Sequence, residues 1–429
     1  MTTHLSPSAA RRAFLLLTAT RWFPVGLVIG ILMLLPLERG LTAGQTVTAL
    51  GLMGLVVFAL ELPTSGFADA FGRRPVLLVA GVVNLASAVV FLTADSFWTF
   101  TAAAALMGVY RALDSGPLEA WFVDTLHLTE PEADVEGPMA AHGTVTGLAM
   151  AAGALLSGGL VWWHPWQAES ALLLPFLLWA SLGAVHLVAL LVLMREPVTH
   201  LDTRGVRRAL QSVRTSPAVV RSGLGLLRSN AALRGVVLVT VFTSVAMVVF
   251  ESFQPVRLAE ILDSEKQAGV LMGPVAAVGW AAFAAGSALV GRLSRRWGVT
   301  RTAILAHTLV ALGAITMGLM TGAAGLITAY LLTYGLFGGS GPVHQTLLHR
   351  EASASNRATV LSIDSMAAFA AFGLGAPLLG LLADAAGLQV AMVTAGGFAV
   401  VGAVFYRPAL RAERSRRPSR TVETPLVRG

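Results

Sequence analysis

The sequence contains no cysteine, and only 12% of its residues are charged. The absence of cysteine excludes disulfides, thiolate metal sites and a cysteine nucleophile. Soluble domains carry about 25% charged and about 45–50% apolar residues, whereas 55% of this chain is apolar. The 44 glycines follow no triplet period, which excludes a collagen-like chain. These shortages indicate an integral membrane protein.

Lysine is almost absent as well, since all but one of the 30 basic residues are arginine and the exception is Lys266. The net charge of +7 could point to nucleic acid. However, the arginines form short clusters between long apolar runs, whereas a nucleic-acid binder concentrates them in one basic stripe. No nucleic-acid partner is predicted. No pattern of metal ligands occurs, so neither a metal nor a cofactor is predicted.

Long apolar runs are what the sequence does contain. A hydrocarbon core of about 30 Å needs about 20 mostly apolar residues per helix. The runs are continuously apolar, which excludes the alternating strands of a membrane β-barrel. They predict an all-α membrane protein with twelve transmembrane helices, at 13–36, 44–66, 75–94, 97–121, 138–163, 169–194, 235–256, 267–291, 301–321, 323–347, 358–383 and 387–406.

The basic residues predict the orientation. With the amino terminus inside, the inner segments hold 25 basic residues, and the outer loops hold only Arg39, Arg257 and Lys266. The other two, Arg21 and Arg111, lie within spans. The positive-inside rule then predicts a multi-pass protein of the cell inner (plasma) membrane with both termini in the cytoplasm.

One long polar stretch divides the chain and predicts its domains. They are an N-terminal six-helix bundle (1–195), a cytoplasmic linker (196–234), a C-terminal six-helix bundle (235–406) and a basic cytoplasmic tail (407–429). The halves share two motifs at nearly the same offset: Gly72 aligns with Gly298, and Ser115-Gly116-Pro117 with Ser340-Gly341-Pro342. Two such matches indicate parallel six-helix repeats.

This arrangement resembles the major facilitator superfamily over nearly the whole chain. The family's loop between helices 2 and 3 reads approximately G-x-L-A-D-R-x-G-R-R. The positions that match it here are Ala68, Asp69, Gly72, Arg73 and Arg74. Ser65, Phe67 and Ala70 depart from it.

The resemblance implies a cytoplasmic latch in this loop. Asp69 would cap the start of helix 11 near 357–359, where a carboxylate is favoured by the helix dipole. Arg73 would pair with Asp124, with Glu119 as the second choice. The other interpretation is a simple positively charged turn.

The family's export motif is only partly present. Helix 5 of drug–proton antiporters carries G-P-x-x-G-G, and here Ala154-Leu155-Leu156-Ser157-Gly158-Gly159 keeps the paired glycines without the proline. The resemblance therefore favours efflux and leaves uptake open.

Charged residues inside spans are the candidate coupling site, because a charge at mid-bilayer is unfavourable by at least about 2.5–3.5 kcal/mol and is usually paired or faces water. By the resemblance, helices 1, 4, 7 and 10 line the cavity, which brings Arg21, Arg111 and Asp114 together. Arg111 and Asp114 are three residues apart and can pair. We expect Asp114 to carry the proton, with Arg21 and Arg111 favouring its ionised form. A static salt bridge is the other interpretation.

Further candidates lie in other spans. Trp22 is a candidate for stacking on the substrate, although core packing explains it too. Glu251 and His344 are assigned to the cavity, with a packing hydrogen bond as the alternative for His344. Glu61 and Asp364 are secondary buried acids that could share one network on the cytoplasmic side.

Small residues and prolines give further expectations. Gly143-x-x-x-Gly147 in helix 5 and Gly269-x-x-x-Gly273 in helix 8 predict close helix packing, and the resemblance implies that helices 5 and 8 meet between the two halves. Pro24, Pro117 and Pro342 predict kinks in cavity helices.

The sequence predicts a secondary transporter working by alternating access, with proton-coupled efflux of a small amphipathic molecule or drug. Its partners are then a small-molecule substrate, protons and the lipid bilayer, and nothing requires more than a monomer. The alternatives are proton-coupled uptake and a membrane-embedded enzyme. The enzyme is disfavoured because the chain has no Walker loop, hydrolase elbow or dinucleotide motif.

Overall fold

The computed structural model describes residues 5–196 and 203–415, with the backbone alone at Ser65, Asp69, 203–210, 212, 213 and 215. This part of the chain is helical and contains no strand. We number its twelve long helices in chain order. The first half contains α1 (Pro7–Ile29), α2 (Ala43–Ser65), α3 (Arg73–Thr93), α4 (Phe97–Asp114), α5 (Glu136–Trp163) and α6 (Leu173–Leu193). The second half contains α7 (Ala231–Met247), α8 (Glu265–Trp297), α9 (Val299–Leu319), α10 (Ala323–Glu351), α11 (Arg357–Ala386) and α12 (Leu388–Gly402).

Shorter elements connect and extend these helices. Within the first half they are Leu34–Glu38, Phe67–Phe71 and Pro117–His127. A π-helix (Val248–Phe253) and the helix Gln254–Leu262 extend α7, and Ala403–Tyr406 and Arg407–Ser415 follow α12. Below, the terminal face is the face with the start of α1 and the end of α12, and the distal face is the opposite one.

Within the described residues, ten helices are long and apolar enough to cross a membrane. The two long helices that do not qualify are α4 and α10, which occupy the fourth and tenth predicted spans. Arg111 and Asp114 lower the hydropathy of α4, and the glycines and histidines of α10 lower its own. The all-helical membrane fold is confirmed, and the two helices that do not qualify are among the four expected to line a cavity.

The polar stretch between the halves contains a helix that the sequence analysis missed. This linker helix (Thr203–Ser229) contacts α2, the short helix Phe67–Phe71 and α11. Its backbone approaches α11 so closely that a Cβ atom at Gly223 would clash with the Ile363 side chain. The linker is therefore partly a structured element at the terminal face.

The halves repeat the same packing scheme six helices apart. In the first half α1 contacts α5 and α6, α3 contacts α4 and α6, and α2 contacts α4. In the second half α7 contacts α11 and α12, α9 contacts α10 and α12, and α8 contacts α10. The largest contacts between the halves are α2 with α11 and α5 with α8. This internal repeat agrees with the duplicated motifs of the sequence.

Glycines bring α5 and α8 together, although not all the predicted ones. A Cβ atom on Gly273 would lie 2.7 Å from the Gly158 Cα atom, so only glycine fits at this contact. The prediction for Gly143 and Gly147 was wrong, because a Cβ atom at either position would have no neighbour within 4 Å. The described contacts of α5 with α8 involve Gly158 and its neighbours on the distal side, whereas Gly143 and Gly147 lie nearer the terminal face.

Polar contacts also join the halves at the distal face. The Asp384 carboxylate, at the end of α11, accepts hydrogen bonds from the Thr42 hydroxyl at 2.7 Å and the Gly44 amide at 2.9 Å, at the start of α2. The Lys266 ammonium of α8 lies 2.9 Å from Nδ1 of His164, which follows α5. The distal face is therefore closed in this conformation.

The two Ser-Gly-Pro motifs have different structures. In the first half the chain breaks after α4, with Gly116 at φ +94° and Pro117 opening the next helix. In the second half α10 continues through Pro342 without interruption. At Pro117 the structure thus has a complete break between two helices, where the sequence predicted only a kink. A positive φ is readily adopted only by glycine, and proline suits the first turn of a helix.

The helices α3 and α9 are held at both ends by side chains of their own half. The Glu196 carboxylate, after α6, accepts hydrogen bonds from the amides of Arg73 and Arg74 at 3.2 and 2.7 Å. Glu413, after α12, accepts one from the Thr300 amide at 3.1 Å. At the opposite ends, carbonyls of residues 91, 92 and 94 bind Arg39, and the carbonyl of residue 320 binds Arg257. Acids at helix starts and arginines at helix ends both complement the helix dipole.

Candidate functional site

Arg21 of α1 and Asp114 of α4 form a salt bridge between two buried side chains. The Arg21 guanidinium also donates a hydrogen bond to the backbone carbonyl of Asp114 at 3.3 Å. The Tyr110 side chain, one turn before Asp114, lies beside both groups. The predicted meeting of Arg21 and Asp114 is therefore present, and the pair joins the first and fourth helices.

The predicted pairing of Arg111 with Asp114 was wrong. The Arg111 side chain is exposed and forms no ion pair with any residue that the structure describes. At about 3.6 residues per turn, positions three apart point about 60° away from each other. Asp114 faces α1, where Arg21 neutralises it.

Two residues that the sequence analysis did not place at this site complete it. Oε1 of Glu119 lies 3.9 Å from Nη1 of Arg21 and 3.4 Å from Nε2 of His142 on α5. The other ring nitrogen of His142 is 2.9 Å from the Thr18 hydroxyl of α1. Glu119 reaches the pair because the chain breaks at Gly116 and starts a new helix at Pro117. In the sequence, the Gly116-Pro117 step was the signal that could have predicted this break and the position of Glu119. We call Arg21, Asp114, Glu119 and His142 the Arg21 cluster.

Trp22 belongs to the surroundings of this cluster. The guanidinium carbon of Arg21 lies 4.8 Å from the centroid of the Trp22 ring. The indole Nε1 is buried and has no hydrogen-bond partner. The ring therefore packs on Arg21, and its contact with a substrate stays a prediction.

The loop between α2 and α3 contains part of the predicted latch. The Arg73 guanidinium lies 3.2 Å from the Asp124 carboxylate and donates to the Ala68 carbonyl at 3.0 Å. Gly72 has φ +94° where the chain turns into α3. The Arg74 guanidinium binds the Leu191 carbonyl at 2.7 Å. The side chain of Asp69 lies outside the described residues, so its cap on α11 stays a prediction.

The secondary acids do not form one network as expected. Glu61 of α2 accepts a hydrogen bond from the Ser365 hydroxyl of α11 at 3.1 Å. The neighbouring Asp364 accepts one from Thr240 of α7 at 2.5 Å instead. Adjacent residues of a helix point in different directions. Glu61 therefore joins the halves, and Asp364 stays within the second half.

His344 of α10 takes part in packing. Its Nε2 atom lies 2.9 Å from the Thr240 hydroxyl and 3.4 Å from Asp364, and its Nδ1 atom lies 2.9 Å from the Tyr406 hydroxyl. The alternative interpretation, a hydrogen bond between helices, fits these contacts.

Glu251 lines a small cavity between the two halves. The residues around it come from α1, the π-helix and its extension, α8 and α10: Ile29, Gly30, Phe250, Glu251, Gln254, Pro255, Met272, Ala276, Trp280, Tyr330 and Tyr334. The cavity has a volume of about 20 Å³, close to the smallest space that holds one water molecule. The Tyr334 side chain lies beside Glu251. We call this space the Glu251 cavity. Single π-helical turns are frequent at functional sites.

Comparison with known proteins places this architecture in a family. A sequence model of the major facilitator superfamily matches residues 14–343. A search of curated proteins finds no match.

Solved structures share the fold at low identity. The nucleoside transporter NupG has 10% identity and a TM-score of 0.74, over 95% of this chain and 100% of that one. A bacterial homolog of the human lysosomal transporter Spinster has 15% identity and a TM-score of 0.69, over 96% and 99%. A peptide transporter, POT, has 13% identity and a TM-score of 0.72, over 94% and 95%. The chain belongs to the major facilitator superfamily and is a multi-pass membrane transporter of small-molecule substrates.

Proposed function

We propose that this transporter couples proton movement to the export of a small amphipathic molecule by alternating access. The observation that carries the proposal is the Arg21 cluster, in which a buried ion pair lies beside a second carboxylate and a histidine. Such groups inside a membrane protein usually belong to ion pathways or proton relays.

The cluster supports a simple coupling step. Protonation of Asp114 removes the charge that holds Arg21, and Glu119, 3.9 Å from the guanidinium, is the next available acceptor. Because Asp114 ends α4 and Glu119 lies in the following helix, an exchange of partner shifts the broken helix against α1. His142 and Glu119 are less buried than the ion pair and would pass the proton to it.

Alternating access requires the halves to move as units. They meet along α2–α11 and α5–α8, where glycines allow close backbone contact, as at Gly158 with Gly273. Small residues make an interface that can shift with little side-chain rearrangement.

Export is the direction we propose, because Gly158 and Gly159 match the paired glycines of the drug–proton antiporter element. Gly158 lies at the contact between α5 and α8. Proton-coupled uptake, driven by the same proton gradient, is the competing outcome of the experiment below.

The experiment measures ethidium, an amphipathic fluorescent cation, in membrane vesicles of known orientation with an imposed pH gradient. Asp114→Asn should reduce gradient-driven movement at least about tenfold while ethidium counterflow persists, since the amide takes no proton. Glu132→Gln, which changes an exposed carboxylate between α4 and α5, is the matched control. Normal gradient-driven movement by Asp114→Asn would remove Asp114 from the coupling step, and inward movement with protons would establish uptake.

The membrane orientation is tested separately. We propose that the terminal face is cytoplasmic, as the arginine distribution indicates. Because the chain lacks cysteine, single cysteines introduced at Gln167 and at Glu132 can be labelled selectively. An impermeant reagent should label intact cells at Gln167 only, and the reverse pattern would invert the orientation.

A further inference from the structure

The Glu251 cavity contains a carboxylate without a cation. Glu251 forms no ion pair with any residue in the described ranges, in contrast to Asp114, which Arg21 neutralises. Its polar neighbour is the Tyr334 side chain of α10. An ionised carboxylate in a membrane protein is unfavourable unless a positive charge or water accompanies it. The cavity therefore has an acceptor for a positive group that the protein itself does not supply.

Gln254 is a second polar residue that lines the Glu251 cavity. Its side chain is wholly buried and lines the Glu251 cavity, one turn after Glu251. Neither its amide oxygen nor its amide nitrogen has a hydrogen-bond partner. Buried amides are almost always hydrogen-bonded, because leaving one unsatisfied is unfavourable. The amide oxygen is therefore available to an N–H donor that enters the cavity.

The remaining walls are aromatic. Trp280 of α8 meets Tyr334 edge to face, with ring centroids 6.0 Å apart and an interplanar angle of 86°. Tyr330 stacks on Tyr334 at 5.3 Å, and Phe250 meets it at 6.1 Å. Because the Trp280 and Tyr334 rings are nearly perpendicular, the space between them suits a rounded group better than a flat one. Aromatic ring faces attract cations, and tryptophan does so most strongly. Metal cations prefer oxygen ligands in larger numbers than these walls offer.

We propose that the Glu251 cavity binds the ammonium group of an organic cation, and that the transported substrate is therefore a cationic amine. Glu251 supplies the opposite charge, Gln254 accepts an N–H of a protonated amine, and Trp280 with the two tyrosines surrounds the alkyl substituents. This inference rests on the proposed transport function and names the substrate class.

The present closed form of the cavity fits this assignment. One wall consists of Ile29, the last residue of α1 in the first half, and Gly30, which follows it, whereas the remaining lining residues belong to the second half. A Cβ atom on Gly30 would lie 3.3 Å from Met272, so α1 closes tightly on α8 here. Separation of the halves at the distal face moves this wall away and enlarges the cavity, which makes access to the acidic and aromatic groups dependent on the transport state.

The test is equilibrium binding of radiolabelled benzyltrimethylammonium to the full chain in lipid nanodiscs, without any gradient. The wild-type protein should bind it saturably, and neutral benzyl alcohol should compete at least about tenfold less well. Glu251→Gln should weaken binding at least about tenfold, and Trp280→Leu about three- to tenfold. Glu132→Gln, the same chemical change at an exposed site, should bind as the wild type does.

A second probe isolates Gln254. Benzyldimethylammonium carries one N–H, whereas benzyltrimethylammonium carries none. Gln254→Leu should weaken binding of the first several-fold and leave the second within about twofold, since only the first donates a hydrogen bond. Equal effects on both probes would remove Gln254 from the site.

Several results would overturn the proposal: unchanged binding by Glu251→Gln, equal competition by benzyl alcohol, or displacement by equimolar sodium, which would assign the carboxylate to an alkali ion. Thermal melting of each variant shows whether it is folded. Because the assay needs no gradient, binding without proton-driven transport would contradict only the coupling step. Proton-driven transport without binding would contradict only the cation site.

Discussion

The two halves share one helix arrangement and differ in what they bury at its centre. The first half encloses a charged cluster in which Arg21 neutralises Asp114. The second half encloses a carboxylate, Glu251, among aromatic rings and an unsatisfied amide. A duplicated fold thus carries a self-contained ion pair on one side and an incomplete one on the other. Under the two proposals above, the first half handles the proton and the second half recognises the substrate.

The largest test of this contrast removes the cation of the first half. Arg21→Leu leaves Asp114 buried and unpaired, which should lower the free energy of unfolding by about 3–5 kcal/mol. The double variant Arg21→Leu/Asp114→Leu should recover most of the loss, because no charge remains buried. Chemical denaturation in detergent micelles measures both. Glu251→Leu is the counterpart in the second half and should change stability by less than about 1 kcal/mol, since no cation loses its partner. Equal losses in the two halves would contradict the contrast.

The place where the halves meet gives the second test. Gly273→Val puts side-chain atoms against the Gly158 backbone, 2.7 Å from the position of the new Cβ atom. Overpacking of this kind should destabilise the protein by about 1–3 kcal/mol and reduce counterflow. Gly143→Ala, in the same interface by sequence pattern but with open space around it, should be neutral or stabilising by up to about 1 kcal/mol. A larger loss for Gly143→Ala would mean that α5 and α8 pack differently.

The two Ser-Gly-Pro motifs provide a matched pair of variants. Gly116→Ala forces a side chain into a left-handed conformation and should be destabilising by about 1–2 kcal/mol. Gly341→Ala lies in a continuous helix with no atom within 4 Å of the new Cβ, so it should stabilise by about 0.5–1 kcal/mol. Thermal unfolding of the two variants compares them directly, and the same sign for both would show that the break in α4 is absent in the membrane.

The smallest effect concerns the two carboxylate caps. Glu196→Gln and Glu413→Gln each remove a negative charge from a helix start, so each should lower stability by about 0.3–1 kcal/mol. Added salt should diminish both losses, because the effect is electrostatic. Similar losses would show that the halves are equivalent at α3 and α9 even though their centres differ. A loss at one site only would limit the symmetry to the helix packing.

The sequence predicted those features that depend on local composition. Apolar runs located the helices, because a helix needs about 20 apolar residues to cross a bilayer. Charged residues within these runs identified Arg21 and Asp114, because a charge inside the membrane is unfavourable and therefore rare. The sequence analysis did not place Glu119 and His142 beside Arg21. Glu119 reaches Arg21 through the break at Gly116, and His142 contacts Glu119 from another helix, so both contacts depend on tertiary structure.

Features that depend on which helix faces which could not be predicted. The spacing of Gly143 and Gly147 is the same as that of Gly269 and Gly273, and only the diverging path of α5 distinguishes them. Arg111 shows the same limit, because spacing allowed a pairing that the competing Arg21 prevents. The Glu251 cavity is formed by α1, the π-helix and its extension, α8 and α10, and the periodicity of one helix does not predict which other helices it contacts.

The hydrogen bonds at both ends of α3 and α9 have a consequence for experiments on the transport cycle. Each of these helices is fastened at its start by a carboxylate from the end of its half and at its finish by an arginine from the region of that half's first helix. A spectroscopic label on either helix therefore reports the movement of its whole half, because the helix is held in place relative to the other helices of that half. Because the chain contains no cysteine, one introduced cysteine on each helix can carry a label. The distance between the two labels would then follow the movement of one half relative to the other during transport.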